Sequence, residues 1–178
     1  TFVKKSIEKM RPMNDGIHYT MMENNSRINS YSYQTGEFES VFFDLKHVEN
    51  PPIKQFSDYQ LSSDETRILL TTDVEKRYRH SFTARYYIWN SVTEELLPLS
   101  EKGKIQMAMF SPDGERVAFV RDCNIYIKNL KFGTESQVTS DGSWGKILNG
   151  VPDWVYEEEF GINRAMEWSP DSKFLAFI

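Results

Sequence analysis

Cysteine is nearly absent from this chain, and the single residue Cys123 excludes an internal disulfide. No apolar run is long enough to cross a membrane, and the segment that starts at Thr1 lacks the pattern of a signal peptide. The three histidines, His18, His47 and His80, do not have the spacing of zinc ligands. The sequence therefore predicts no metal site and no cofactor.

The patterns of several active sites are also missing. A Gly-x-Ser-x-Gly nucleophile elbow does not occur, since Gly142-Ser143-Trp144-Gly145 is one residue short of it. No glycine-rich phosphate loop is present. The net charge of −5, without a dominant basic patch, argues against a nucleic-acid partner. We expect no catalytic residue within these 178 residues.

Aromatic residues are abundant, and a turn followed by an apolar strand recurs along the chain. The 12 Phe and 9 Tyr favour strands over helices. The turn aspartates Asp15, Asp64 and Asp113 are spaced by 49 residues each, and Asp171 follows after 58. The excess of nine is about the length of residues 153–161, which therefore form an insertion into a repeat. The turns are Asn14–Gly16, Ser63–Glu65, Ser111–Gly114 and Ser169–Ser172.

Four short strands per unit, with a period of about 40–50 residues, are typical of β-propeller blades. Ser-Pro-Asp-Gly is the chemistry of a tight turn between two strands of a hairpin. We predict an all-β fold in which residues 1–178 are part of one N-terminal propeller domain, with three four-stranded antiparallel blades and the start of a fourth. Thr1–Met10 is predicted as an edge strand or a lead-in. Because a propeller closes with about 4–8 blades, we expect a longer polypeptide.

Three consecutive glutamates, Glu157–Glu159, lie in the inserted segment between bulky aromatic residues. Asp153 can cap a short helix here, and acidic residues suit its first turn. Trp154, Tyr156 and Phe160 are expected to be buried. Neighbouring helical residues do not share a face, so at most two of the glutamates can converge on one cation. The plain alternative is a solvated acidic face.

A charged loop, Glu75–Phe82, lengthens the connection between two inner strands of the second unit. The plain interpretation is a solvated loop with arginine stems lying on the surface. A guanidinium, however, offers a fixed fork of donors that suits a carbonyl or a carboxylate. His80, with Tyr78 or Phe82, can hold such an arginine in place. This loop and the glutamates together predict a site for a group of mixed charge.

The run Asp153–Glu159, together with Arg79-His80-Ser81, resembles the N-terminal propeller region of the dipeptidyl peptidase IV family, in the prolyl oligopeptidase group of serine peptidases. The resemblance implies that Glu158 and Glu159 bind the free amino group of a peptide substrate. It also implies that Arg79 contacts the carbonyl oxygen of the second substrate residue from the cut. The supporting residues are Tyr156, His80 and Trp154.

The resemblance further implies a serine exopeptidase that releases N-terminal dipeptides of the Xaa-Pro or Xaa-Ala type. Its Ser, Asp and His would come from a C-terminal α/β-hydrolase domain that these residues do not contain, so the segment alone is expected to be inactive. The implied partners are peptides with a free N-terminus and the catalytic domain of the same polypeptide, and the family also allows a homodimer. The alternative is a non-catalytic propeller that binds peptides or proteins.

Some residues depart from the mammalian pattern of this family. Tyr78 stands where mammalian members have Trp, Phe160 directly follows the glutamates, and the cysteine-rich propeller is not echoed. These differences favour a bacterial member in the periplasm, the cell envelope or the secreted fraction. They leave the preferred dipeptide open.

Overall fold

The computed structural model describes residues 9–178, which form successive antiparallel sheets with strands in chain order. The first sheet contains β1 (Arg11–Pro12), β2 (His18–Glu23), β3 (Arg27–Ser32) and β4 (Phe38–Asp44). The second contains β5 (Asp58–Leu61), β6 (Arg67–Lys76), β7 (Phe82–Asn90) and β8 (Glu95–Pro98). The third contains β9 (Gln106–Phe110), β10 (Arg116–Arg121), β11 (Asn124–Asn129) and β12 (Glu135–Gln137). The fourth has two strands, β13 (Met166–Trp168) and β14 (Leu175–Phe177).

Two short helices interrupt this order. A 3-10 helix, Leu45–His47, follows β4, and the α-helix α1 (Trp154–Phe160) lies between the third and fourth sheets. The predicted all-β fold of four-stranded blades with a helical insertion near 153–161 is therefore confirmed. The edge strand or lead-in predicted for Thr1–Met10 falls outside the described residues, apart from Lys9 and Met10, which precede β1.

Each predicted turn joins the first two strands of a sheet. In the third sheet, Ser111 Oγ donates to Asp113 Oδ1 at 2.5 Å, and the same oxygen accepts the N–H of Glu115 at 3.0 Å. Gly114 follows at a φ of +70°, a conformation that costs glycine little. Ser62–Asp64 and Ser169–Asp171 make equivalent hydroxyl–carboxylate bonds. The Ser-x-Asp pattern of the sequence therefore corresponds to a local hydrogen bond that closes these hairpins.

The sheets stack face to face, and the inner strands supply side chains to both of their faces. Ile68 and Leu70 of β6 enter the core shared with the first sheet, while Leu69 enters the core shared with the third. In β10, Phe119 faces the second sheet and Val120 faces the fourth. Because strand side chains alternate with a period of two, a strand buried on both faces must be apolar throughout.

The second sheet differs from the others in the length of its central hairpin. The register between β6 and β7 shifts between Thr72 and Glu75, where Asp73 adopts a φ of 51°. The strands then pair again at Glu75–Thr83 and Lys76–Phe82. This bulge carries residues 77–81 beyond the buried part of the sheet.

The helix α1 begins after Asp153, the cap that the sequence predicts. The side chain of Asp153 accepts the N–H of Tyr156 at 2.9 Å, which satisfies a first-turn donor. Gly161 ends the helix in the left-handed conformation, with a φ of 66°. Within residues 9–178, no helix is both long and apolar enough to cross a membrane.

Candidate functional site

The helix α1 meets the tip of the β6–β7 hairpin at one place. Arg79 Nη2 lies 3.1 Å from Glu158 Oε2. One residue earlier on the helix, Glu157 Oε1 accepts the backbone N–H of His80 at 2.6 Å and that of Ser81 at 2.8 Å. The structure therefore brings together the two charged segments that the sequence analysis singled out.

The predicted ligand-binding residues differ in exposure. The side chain of Glu158 is 13% exposed, whereas that of Arg79 is 70% exposed. Glu159 is exposed, and its side chain makes no hydrogen bond or ion pair to another described residue. Glu158 is thus partly shielded from solvent and paired, while Glu159 offers an unused carboxylate beside it.

The predicted supporting residues are more exposed than the sequence analysis expected. His80 is exposed and contributes its backbone N–H rather than a buried ring. Trp154, Tyr156 and Phe160 are 52%, 47% and 67% exposed, so the prediction that these aromatics are buried is wrong. Tyr156 and Phe160 pack on each other, with ring centroids 5.7 Å apart. The inward position of the helix is taken by Glu157 instead.

Glu157 is the residue that sequence reasoning missed. It is only 1% exposed, and its two backbone donors come from residues 76 and 77 positions earlier in the chain. Burial opposes its ionisation, but the amides of His80 and Ser81 outweigh burial and hold the pKa of Glu157 below its ordinary value. No signal in the Glu-Glu-Glu run distinguishes this residue, because its partners are distant in sequence.

A cleft of about 740 Å³ lies beside the meeting point of α1 and the hairpin. His80, Ser81 and Phe82 form one part of its lining, and Gly161–Arg164, directly after α1, form another. This volume is within the range of about 300–1,000 Å³ that is usual for small-ligand sites. Arg79, Glu158 and Glu159 neighbour these lining residues without being among them.

A run of four-stranded antiparallel sheets with an inserted helix and an extended hairpin defines a protein of β-propeller blades. The family model for the dipeptidyl peptidase IV N-terminal region matches residues 62–178. The chain therefore belongs to this family, as the run Asp153–Glu159 and Arg79-His80-Ser81 predicted.

Sequence similarity to named peptidases agrees with this assignment. The chain is 42% identical over 127 residues to a probable dipeptidyl-aminopeptidase B of Tuber melanosporum, covering 66% of this chain and 14% of the relative. It is 35% identical over 166 residues to the prolyl endopeptidase FAP of Bos taurus, covering 91% of this chain and 21% of the relative. The chain thus spans a minor part of the length of these proteins.

A solved structure is similar over most of the chain. The crystal structure of Porphyromonas gingivalis dipeptidyl peptidase 4 is 46% identical in sequence, with a TM-score of 0.89. The superposition covers 93% of this chain and 24% of that protein. The chain is therefore similar to that peptidase in the fold of its blades and in nearly half of its aligned residues.

Proposed function

We propose that the chain is the substrate-anchoring segment of a serine exopeptidase that releases N-terminal dipeptides of the Xaa-Pro or Xaa-Ala type. The observation that carries this proposal is the contact of Arg79 and Glu158 at 3.1 Å, made by a hairpin and a helix from different parts of the chain. The names of the relatives support a peptidase, and the site supports recognition of a charged peptide end.

In this proposal Glu158 and Glu159 bind the α-ammonium of the substrate. Hydrogen bonds between an ammonium and a carboxylate are charge-assisted and stronger than neutral ones. Glu158 is well suited because its side chain is 13% exposed, which reduces screening by solvent. Glu159 supplies a second carboxylate, so that two negative charges share one cation.

Arg79 is proposed to contact a carbonyl oxygen of the bound peptide. Without substrate, its guanidinium neutralises Glu158. Because the Arg79 side chain is 70% exposed, exchanging this partner costs little desolvation. The substrate ammonium then takes the place of the guanidinium at Glu158, and the arginine fork turns to the carbonyl.

A fixed ammonium site holds every substrate at the same distance from its N-terminus. It places one particular peptide bond at a nucleophile, and a peptide without a free amine leaves carboxylates unpaired. We propose that the catalytic Ser, Asp and His belong to an α/β-hydrolase domain of the same polypeptide, and that residues 1–178 alone do not cleave peptides. A homodimer, and a periplasmic, secreted or cell-envelope location, belong to the same proposal.

The test replaces Glu158 and Glu159 singly by Gln in the full-length polypeptide. We expect kcat/KM for a dipeptide p-nitroanilide with a free amine to fall by about 10- to 150-fold per site, since a charged hydrogen bond contributes roughly 1.5–3 kcal/mol. The difference between free and N-acetylated substrates should narrow. Glu115→Gln is the matched control, because Glu115 is exposed on a turn of the third sheet.

Two outcomes would contradict the proposal in different ways. Unchanged kcat/KM in both variants would show that Glu158 and Glu159 do not bind the substrate and would favour the interpretation of a solvated acidic face. Tight binding of peptides with a free N-terminus, without any hydrolysis by the full-length polypeptide, would favour the non-catalytic propeller instead.

A further inference from the structure

The tip of the β6–β7 hairpin is a tight turn with little support of its own. The backbone N–H groups of Arg77 and Tyr78 both donate to the carbonyl oxygen of Ser81, at 2.9 and 3.3 Å. Residues 77–80 are all exposed. An exposed tip without a packed core opens easily, so its position must be set from outside the turn.

Two outside contacts involve exposed side chains of the tip: Arg77 lies over the ring of Trp144, and Arg79 pairs with Glu158. Glu157 supplies the contact that holds the backbone of the tip. Its Oε1 accepts the backbone N–H groups of His80 and Ser81, the two residues directly after Arg79. The side chain is 1% exposed, so these bonds are shielded from water and strong. The backbone that carries Arg79 is therefore tied on its C-terminal side to α1.

Two buried polar atoms remain at this junction. Among the described residues, neither Glu157 Oε2 nor Ser81 Oγ has a hydrogen-bond partner. One is a carboxylate acceptor and the other a hydroxyl that can donate, and they belong to residues already joined through Oε1 and a backbone N–H. Both atoms lie at the junction that Glu157 Oε1 and the two backbone N–H groups already form.

We propose that Glu157 is a positioning residue, which fixes the Arg79 loop to α1 through the amides of His80 and Ser81. Glu158 and Glu159 follow on the same helix, so Glu157 sets the separation between the ammonium contacts and the carbonyl contact. This inference rests on the proposed function, because it takes Arg79 as a substrate contact. Without the anchor, only a fraction of the molecules holds Arg79 in the binding position, and the apparent affinity falls by that fraction.

The first measurement does not depend on activity. In the full-length polypeptide, hydrogen exchange of a peptide covering residues 76–83 should be at least about 10-fold faster in Glu157→Gln, since a neutral acceptor replaces a carboxylate. Exchange of residues 116–121 in β10 should not change. Glu115→Gln should leave both regions as in the wild type. Unchanged exchange at residues 76–83 overturns the anchor.

The second measurement asks whether Glu157 acts through Arg79. Glu157→Gln should lower kcat/KM by about 10-fold in the wild type, mainly through KM, but by less than about 2-fold in an Arg79→Met background. An equal loss in both backgrounds indicates a general structural effect and overturns the proposal. If Glu157→Gln does not fold, Glu157→Asp, which keeps the charge but shortens the reach, must show the same dependence on Arg79.

The same set of variants also tests this inference separately from the proposed function. If Arg79→Met and Glu158→Gln lower kcat/KM while Glu157→Gln does not, only the positioning role fails. If Arg79→Met alone has no effect on kcat/KM, Arg79 is not a substrate contact, and both the carbonyl contact and the role of Glu157 fail together.

Discussion

The hairpins β6–β7 and β10–β11 occupy the same position in successive blades, yet they differ in what lies at their tips. In β10–β11 the strands pair without interruption as far as Arg121 and Asn124, and Asp122 and Cys123 close the turn with φ values of 49° and 61°. In β6–β7 a bulge at Asp73 interrupts the pairing, and the hairpin continues to an exposed tip. The blade repeat is thus kept in one hairpin and extended in the other to carry Arg79.

The two tips are also held differently. Gly142 lies so close to the β10–β11 turn that an added Cβ would be 2.2 Å from the carbonyl oxygen of Cys123. The β6–β7 tip is held by side chains: Glu157 accepts two of its backbone N–H groups, Glu158 pairs with Arg79, and Arg77 lies over the ring of Trp144. Close backbone packing at Gly142 leaves no room for a side chain. Side-chain contacts, in contrast, hold the β6–β7 tip while its residues 77–80 stay exposed. The comparison shows how neighbouring hairpins of the same fold can differ, one packed as scaffold and the other extended to the residues of the proposed site.

The largest effect should come from the core of the scaffold hairpin. Phe119 of β10 is fully buried and stacks on Tyr126, with ring centroids 5.7 Å apart. Phe119→Ala should lower the free energy of unfolding of the propeller by roughly 3–5 kcal/mol. Val74→Ala, on the exposed part of β6, is the control and should change it by less than about 0.5 kcal/mol. Thermal unfolding of the full-length protein measures both, and equal shifts would remove the distinction between the hairpins.

A smaller loss is expected where Gly142 approaches the β10–β11 turn. Gly142→Ala should destabilise the third sheet by roughly 1–3 kcal/mol, because the contact is with backbone that cannot rotate away. Gly133→Ala is a useful comparison, since an added Cβ there meets nothing within 4 Å and only the left-handed φ of 65° is strained. A Gly142 variant that is more stable than the Gly133 variant would show that the turn can move.

The smallest effect concerns the pH dependence of the β6–β7 tip. Burial opposes ionisation of Glu157, but the His80 and Ser81 amides hold its pKa below the ordinary value of about 4.3 for an unfolded chain. Its contribution to stability is therefore complete above about pH 4.3, and it is lost as pH falls through the lower folded pKa. Amide exchange at His80 and Ser81, corrected for intrinsic rates, should show constant protection between about pH 8 and 5. A loss of protection within that range would mean that the carboxylate is not ionised as described.

Much of the fold could be predicted because its signals are local. The Ser-Pro-Asp turns close hairpins through bonds between residues two positions apart, as Ser111 and Asp113 do. Continuous apolar runs such as Val117–Val120 indicate burial on both faces of a strand. Asp153 and Gly161 mark the two ends of α1 in the same local way. The family could also be predicted, because its motif is contiguous.

The sequence by itself thus determined the blades, their turns, the inserted helix and the family. Only the tertiary structure decided which glutamate turns inward and that Trp154 and Tyr156 stay half exposed. The reason is that the buried Glu157 bonds to two backbone N–H groups about 77 residues away. Every residue except proline has a backbone N–H, so residue types do not indicate which of these groups need a partner. Hydrophobicity predicted buried aromatic residues and exposed carboxylates. At this junction, however, the backbone N–H groups of His80 and Ser81 would lack a partner without Glu157, and bonding them outweighs the cost of burying its carboxylate.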